Sequence, residues 1–115
     1  MINIEKSSSL LNIAVMGEFT FDDFTQFENL ALDMLKGGNR INLLFDLRAM
    51  IDYSVDVVWE EIRFFGRDHN HDFGKIAVIT SDQWQTWQSW LSRLFVDSDI
   101  RVFKEYKEGK IWAES

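Results

Sequence analysis

Both histidines of this 115-residue chain fall in one hexapeptide, Arg67-Asp68-His69-Asn70-His71-Asp72, beside two carboxylates. An H-x-H pair can grip a metal from a strand, where alternate side chains share a face, but this polar run reads as a loop. Zinc also asks for a third protein ligand in fixed geometry, and only generic aspartates are at hand. A solvated loop is therefore expected, not a metal centre. As general bases, His69 and His71 lack a partner serine or threonine in a nucleophile elbow. Asp46 is the more interesting carboxylate. It closes an apolar run expected to be a central strand, and in open α/β sheets ligands gather at the carboxyl ends of parallel strands. Its plainer role is to order the loop that follows. Asp46, His69 and His71 are thus the candidate polar-site residues, and no catalytic residue, metal or cofactor is expected.

Two glycine pairings fail as nucleotide sites. Gly37-Gly38-Asn39-Arg40 lacks the lysine and hydroxyl residue of a phosphate-binding loop, and no G-x-G-x-x-G occurs. Gly37-Gly38 reads as a helix stop. Trp84, Trp87 and Trp90 recur every third residue, a drifting row that suits a helix packed on a core. Val57 and Phe64, seven apart, form a second apolar line on the outer side of another helix. Val57, Phe64, Trp87 and Trp90 are therefore candidates for an interface or an apolar ligand site.

The elements that must carry these residues follow from periodicity. Residues 2–6 and 10–17 read as strands joined by a serine turn, hence an antiparallel hairpin. Thr20 looks like an N-cap, with Asp22 and Asp23 in the first turn where the helix dipole favours anions. Phe24, Phe27, Leu30, Ala31, Met34 and Leu35 give that helix its apolar stripe. The runs 40–47 and 75–80 are nearly continuous in apolar residues, so both their faces should be covered. Helices are expected over 55–68, with Ser54 as its cap, and from Asp82 through Phe95. Residues 100–106 read as an edge-like strand, and 108–114 as one more helical turn. The order β-β-α-β-α-β-α-β-(α) implies an α/β fold with a mixed five-stranded sheet. Its first pair is antiparallel, the rest are parallel, and three main helices pack on it. Successive right-handed crossovers tend to put those helices on one face, leaving the other short of cover.

Composition narrows the function. At 115 residues a single domain spanning 1–115 is expected, and 46% apolar residues suffice for a core. The net charge of −7 argues against nucleic acid and anionic membranes as partners. With no cysteine, disulfides, thiolate metal sites and cysteine nucleophiles are excluded. The sequence shows no signal-like start and no run long enough to span a membrane, so a cytoplasmic location is expected.

One resemblance covers nearly the whole chain. Gly17-Glu18-Phe19-Thr20 with Asp22-Asp23-Phe24, then Leu43-Leu44-Phe45-Asp46-Leu47 and Trp59-Glu60-Glu61-Ile62-Arg63-Phe64, resemble the SpoIIAA-like group of STAS-type bacterial domains. Phe73, Lys75-Ile76-Ala77-Val78-Ile79, Arg101-Val102-Phe103 and Trp112 continue it. The group is also related to the CRAL-TRIO lipid-binding fold. The resemblance implies a (β/α) superhelix without an established catalytic residue, acting as a binding or interaction module. A homodimer or protein partner is expected, with carriage of a lipid or other hydrophobic small ligand as the alternative. Anti-sigma-factor antagonists of this type carry a phosphorylatable serine in Asp-Ser-Ser/Thr-Gly after the central strand. Here the matching stretch is Ile51-Asp52-Tyr53-Ser54-Val55, without the glycine, and Ser54 is the candidate for a third, regulatory reading.

Overall fold

The computed structural model of the chain describes residues 1–7, 10–38, 40–53, 73–80 and 99–115. Five strands form one sheet in sequential order: β1 (Ile2–Ser7), β2 (Leu10–Phe19), β3 (Ile41–Tyr53), β4 (Phe73–Ile79) and β5 (Asp99–Phe103). β1 pairs antiparallel to β2, in a register running from Ile2 opposite Val15 to Ser7 opposite Leu10. β2–β3, β3–β4 and β4–β5 are all parallel. This is the mixed sheet that the element order predicts. Two helices occur among the described residues: α1 (Phe21–Leu35) and α2 (Tyr106–Glu114). The helices predicted over 55–68 and 82–95 lie outside the described residues.

Local chemistry explains α1. Thr20 caps it through a reciprocal box: the Asp23 backbone N–H donates to Thr20 Oγ1 at 3.2 Å, and the Thr20 N–H donates to Asp23 Oδ2 at 3.0 Å. The Met1 ammonium donates to the same carboxylate oxygen at 2.9 Å. Burial alone pushes the Asp23 carboxyl up, but the hydrogen bonds from the Met1 ammonium and from Thr20 outweigh it and hold the group below its ordinary value. Gly38, at φ +82°, takes the left-handed turn past the helix end.

Strand parity sorts the core into two faces. Leu11, Ile13, Val15, Leu43, Phe45, Leu47, Ile76 and Val78 face Phe24, Phe27 and Ala31 of α1. The Phe27 and Phe45 rings meet at 5.5 Å between centroids. Each such side chain contributes roughly 1.5–3 kcal/mol on burial. Leu10, Leu44, Ala77 and Ile79 face the other way, where Ala113 seals them beside Phe103, Tyr106 and Trp112.

That second layer corrects two expectations. The single turn expected over 108–114 is a nine-residue helix beginning at Tyr106, and the last strand stops at Phe103, not Tyr106. The sheet face opposite α1 is consequently covered in part by α2. A helix of this length is marginal on its own, so tertiary contacts must hold it. Asn42 supplies two of them: Oδ1 accepts from the Lys75 backbone N–H at 2.8 Å, and Nδ2 donates to the Ala113 carbonyl at 2.8 Å. Lys75 Nζ donates to the Trp112 and Ser115 carbonyls, a cation at the negative end of the helix.

β3 is also longer than the expected 40–47. It continues to Tyr53, pairing its second half with Met16–Phe19 of β2 across register shifts after Ala14 and Gly17. The extra β3 residue accommodated between the Asp46 and Ala49 pairings is a β-bulge, which lets the strand bend without ending.

Candidate functional site

Asp46 stands opposite Ala14 on one side and Ile79, the last residue of β4, on the other. Ile79 in turn pairs with Phe103, the last residue of β5. Asp46 is therefore level with the carboxyl ends of β4 and β5, but it does not end its own strand as expected: β3 and its parallel partner β2 run on to Tyr53 and Phe19. The loop expected after Asp46 does not follow it, since residues 47–53 are strand; Asp46 Oδ1 instead accepts the Arg48 backbone N–H at 3.2 Å within β3.

The Arg48 side chain closes the motif. Arg48 Nε donates to Asp46 Oδ1 at 2.8 Å and Nη2 donates to Oδ2 at 2.7 Å, a bidentate, charge-assisted pair. The Asp46 side chain is 13% exposed and that of Arg48 53%. The hydrogen bonds that Arg48 donates to Asp46 hold the guanidinium above its already high ordinary pKa, so Arg48 is permanently charged. Its carbon centre lies 5.2 Å from the centroid of the Tyr106 ring, a cation–π contact with the first turn of α2. The Tyr106 hydroxyl is in turn hydrogen-bonded to Asn12 Nδ2 on β2. An open pocket of about 340 Å³ lies here, lined by Ala14, Val15, Met16, Asp46, Arg48 and Ala49.

Asp46 is the one sequence-predicted site residue that falls among the described residues. Ser54, Val57, Phe64, His69, His71, Trp87 and Trp90 lie outside them, so their placement relative to Asp46 is not part of this geometry. No group of three or more metal-ligating side chains occurs among the described residues. None of their helices is long and apolar enough to cross a membrane. Arg48, Tyr106 and Asn12 were not singled out from sequence. The available signal was the i, i+2 spacing of Asp46 and Arg48, which places opposite charges on one face of a strand. Nothing local ties Tyr106 to Asn12, 94 positions earlier.

The sequence profile of the SpoIIAA-like family matches residues 10–114, from the start of β2 to the end of α2. The chain belongs to the SpoIIAA-like family. No curated protein matches the sequence. Among solved structures, this SpoIIAA-like chain is similar to an uncharacterized protein with a SpoIIAA-like fold from Shewanella loihica PV-4. The TM-score is 0.74 at 23% identity, over 98% of this chain and 92% of that one. It is also similar to an anti-sigma factor antagonist from Mycobacterium paratuberculosis, with TM-score 0.60, 10% identity, and coverage of 100% and 94%. A third match is the anti-sigma factor antagonist SpoIIAA in its unphosphorylated form, with TM-score 0.59, 11% identity, and coverage of 96% and 94%. At these identities the likeness concerns the fold.

Proposed function

We propose that this SpoIIAA-like chain is a non-enzymatic binding and interaction module that also associates with itself. The observation that carries the reading is the end-to-end match of the fold with two anti-sigma factor antagonists, proteins named for acting against another protein. The state of Asp46 agrees with it. Both carboxylate oxygens are engaged by Arg48, so the acid at the carboxyl edge is a poor general base. In this reading the helices predicted over 55–68 and 82–95 present Val57, Phe64, Trp87 and Trp90 as the contact surface. Because α2 takes up part of the face opposite α1, association in this reading rests on those four residues and not on a bare sheet.

Sedimentation at micromolar concentration, joined to native mass spectrometry of freshly purified protein, tests the proposal. A dimer that Phe64→Glu converts to monomer, with no lipid retained, supports it. A strict monomer carrying co-purified lipid overturns it in favour of hydrophobic-ligand carriage. A monomer without lipid removes self-association altogether.

A further inference from the structure

We propose that the pocket beside Asp46 binds a small monocarboxylic acid with a short apolar chain, the carboxylate on Arg48 and the chain along Ala14, Met16 and Ala49. The inference does not depend on a protein partner or on self-association. It begins with how the guanidinium is spent. Arg48 presents one edge, Nε and Nη2, to Asp46. A planar guanidinium has a second edge, Nη1 with the remaining Nη2 proton, shaped for another bidentate acceptor. Among the described residues nothing occupies that edge, while the Arg48 side chain remains half exposed and lines the pocket.

The surroundings fix the group in place. The Asp46 fork and the Tyr106 ring hold the guanidinium, so little rotamer freedom is left to lose on binding. The β-bulge between the Asp46 and Ala49 pairings sets Arg48 and Ala49 side by side at the pocket, and bulges recur where a strand must re-aim a side chain. Among the described residues the side chains of Ala14, Met16 and Ala49 give this face an apolar lining against one charged pair, while Val15 turns its side chain to α1. A few hundred cubic ångströms, apolar walls and one oriented polar group are the usual make-up of a small-molecule site. Charge sets the class of head group. A single negative charge suits the second guanidinium edge, whereas a dianion meets repulsion from Asp46 and Glu105, both of which act on Arg48. The same two acids keep the affinity modest.

Hexanoate and hexanol, titrated in parallel into ¹⁵N-labelled protein, separate head group from tail. Hexanoate is expected to saturate in the range of about 0.1–5 mM and to shift the amides of Ala14, Met16, Arg48 and Ala49, with hexanol about tenfold weaker or more. Arg48→Gln should abolish the preference for the acid. Ala49→Trp, which fills the pocket and leaves the Arg48–Asp46 pair in place, should abolish binding of both probes while the spectrum stays folded. Equal binding of hexanol and hexanoate, shifts that map away from these four residues, or no saturation overturns the proposal.

Discussion

Gly109 of α2 lies directly against Ile79, the last residue of β4: a Cβ added at 109 would overlap the Ile79 Cδ1 and come within 3.2 Å of Phe103 Cδ2. The helix can approach the sheet this closely only because position 109 has no side chain. Ile79 is fully buried, so its Cδ1 would have to shift within the core to make room.

This gives Gly109→Ala a sign that helix propensity alone would get wrong. Alanine improves an exposed helix by about 1 kcal/mol. Overpacking at a buried contact costs about 1–3 kcal/mol. A net loss of about 1 kcal/mol is expected, read as a lower urea midpoint with an unchanged slope. A gain in stability would mean that α2 does not pack here.

Asn42 is expected to be the principal fastener of α2. Asn42→Leu keeps the branched outline of the side chain but strands the Lys75 N–H and the Ala113 carbonyl, which Asn42 joins at 2.8 Å each. Leaving such groups unsatisfied costs about 1–3 kcal/mol. Hydrogen exchange should show the amides of Tyr106–Glu114 losing protection well before those of β2 and β3. Uniform loss across the molecule would contradict a local fastening role.

Asp23 makes stability depend on pH in the acid range. Its folded carboxyl sits below the ordinary value of 3.8. The unfolded chain therefore takes up this proton first as pH falls. The stabilisation is complete above the unfolded value, starts to fade near it, and is gone below the lower folded value. Asp23→Asn should flatten this part of the acid limb in a series of urea melts. At neutral pH it should also destabilise the fold, because the ion pair with the Met1 ammonium is lost. An acid limb unchanged by the substitution would count against the assignment.

Much of the fold is legible in the sequence because its signals are local. Thr20, Asp23 and the stripe from Phe24 to Leu35 specify α1 through spacing and capping, which need no distant partner. The continuous apolar runs through Leu43–Leu47 and Ile76–Ile79 announce strands covered on both faces, and burial of both faces is what the sheet displays. Asp46 could be placed on the central strand for the same reason, though not at its end, because β3 runs on to Tyr53. The candidate site as a whole could not. Arg48 owes its position to a β-bulge, and a bulge is a property of two paired strands, not of either alone. Tyr106 reaches Asn12 and Arg48 only after the chain has crossed the sheet. The segment from Tyr106 to Glu114 is too short and too polar to declare more than the turn read over 108–114, with lysines, glutamates and a glycine through its length. It becomes one because Asn42, Lys75 and the gap at Gly109 offer it a docking surface, and that surface exists only once β3, β4 and β5 lie side by side. Sequence thus determined the elements whose stabilising contacts lie within a few residues. Tertiary structure decided the end of β3, the reach of α2 and the seating of Tyr106 against the guanidinium that Asp46 already holds from two residues away, because each depends on groups brought together from distant parts of the chain.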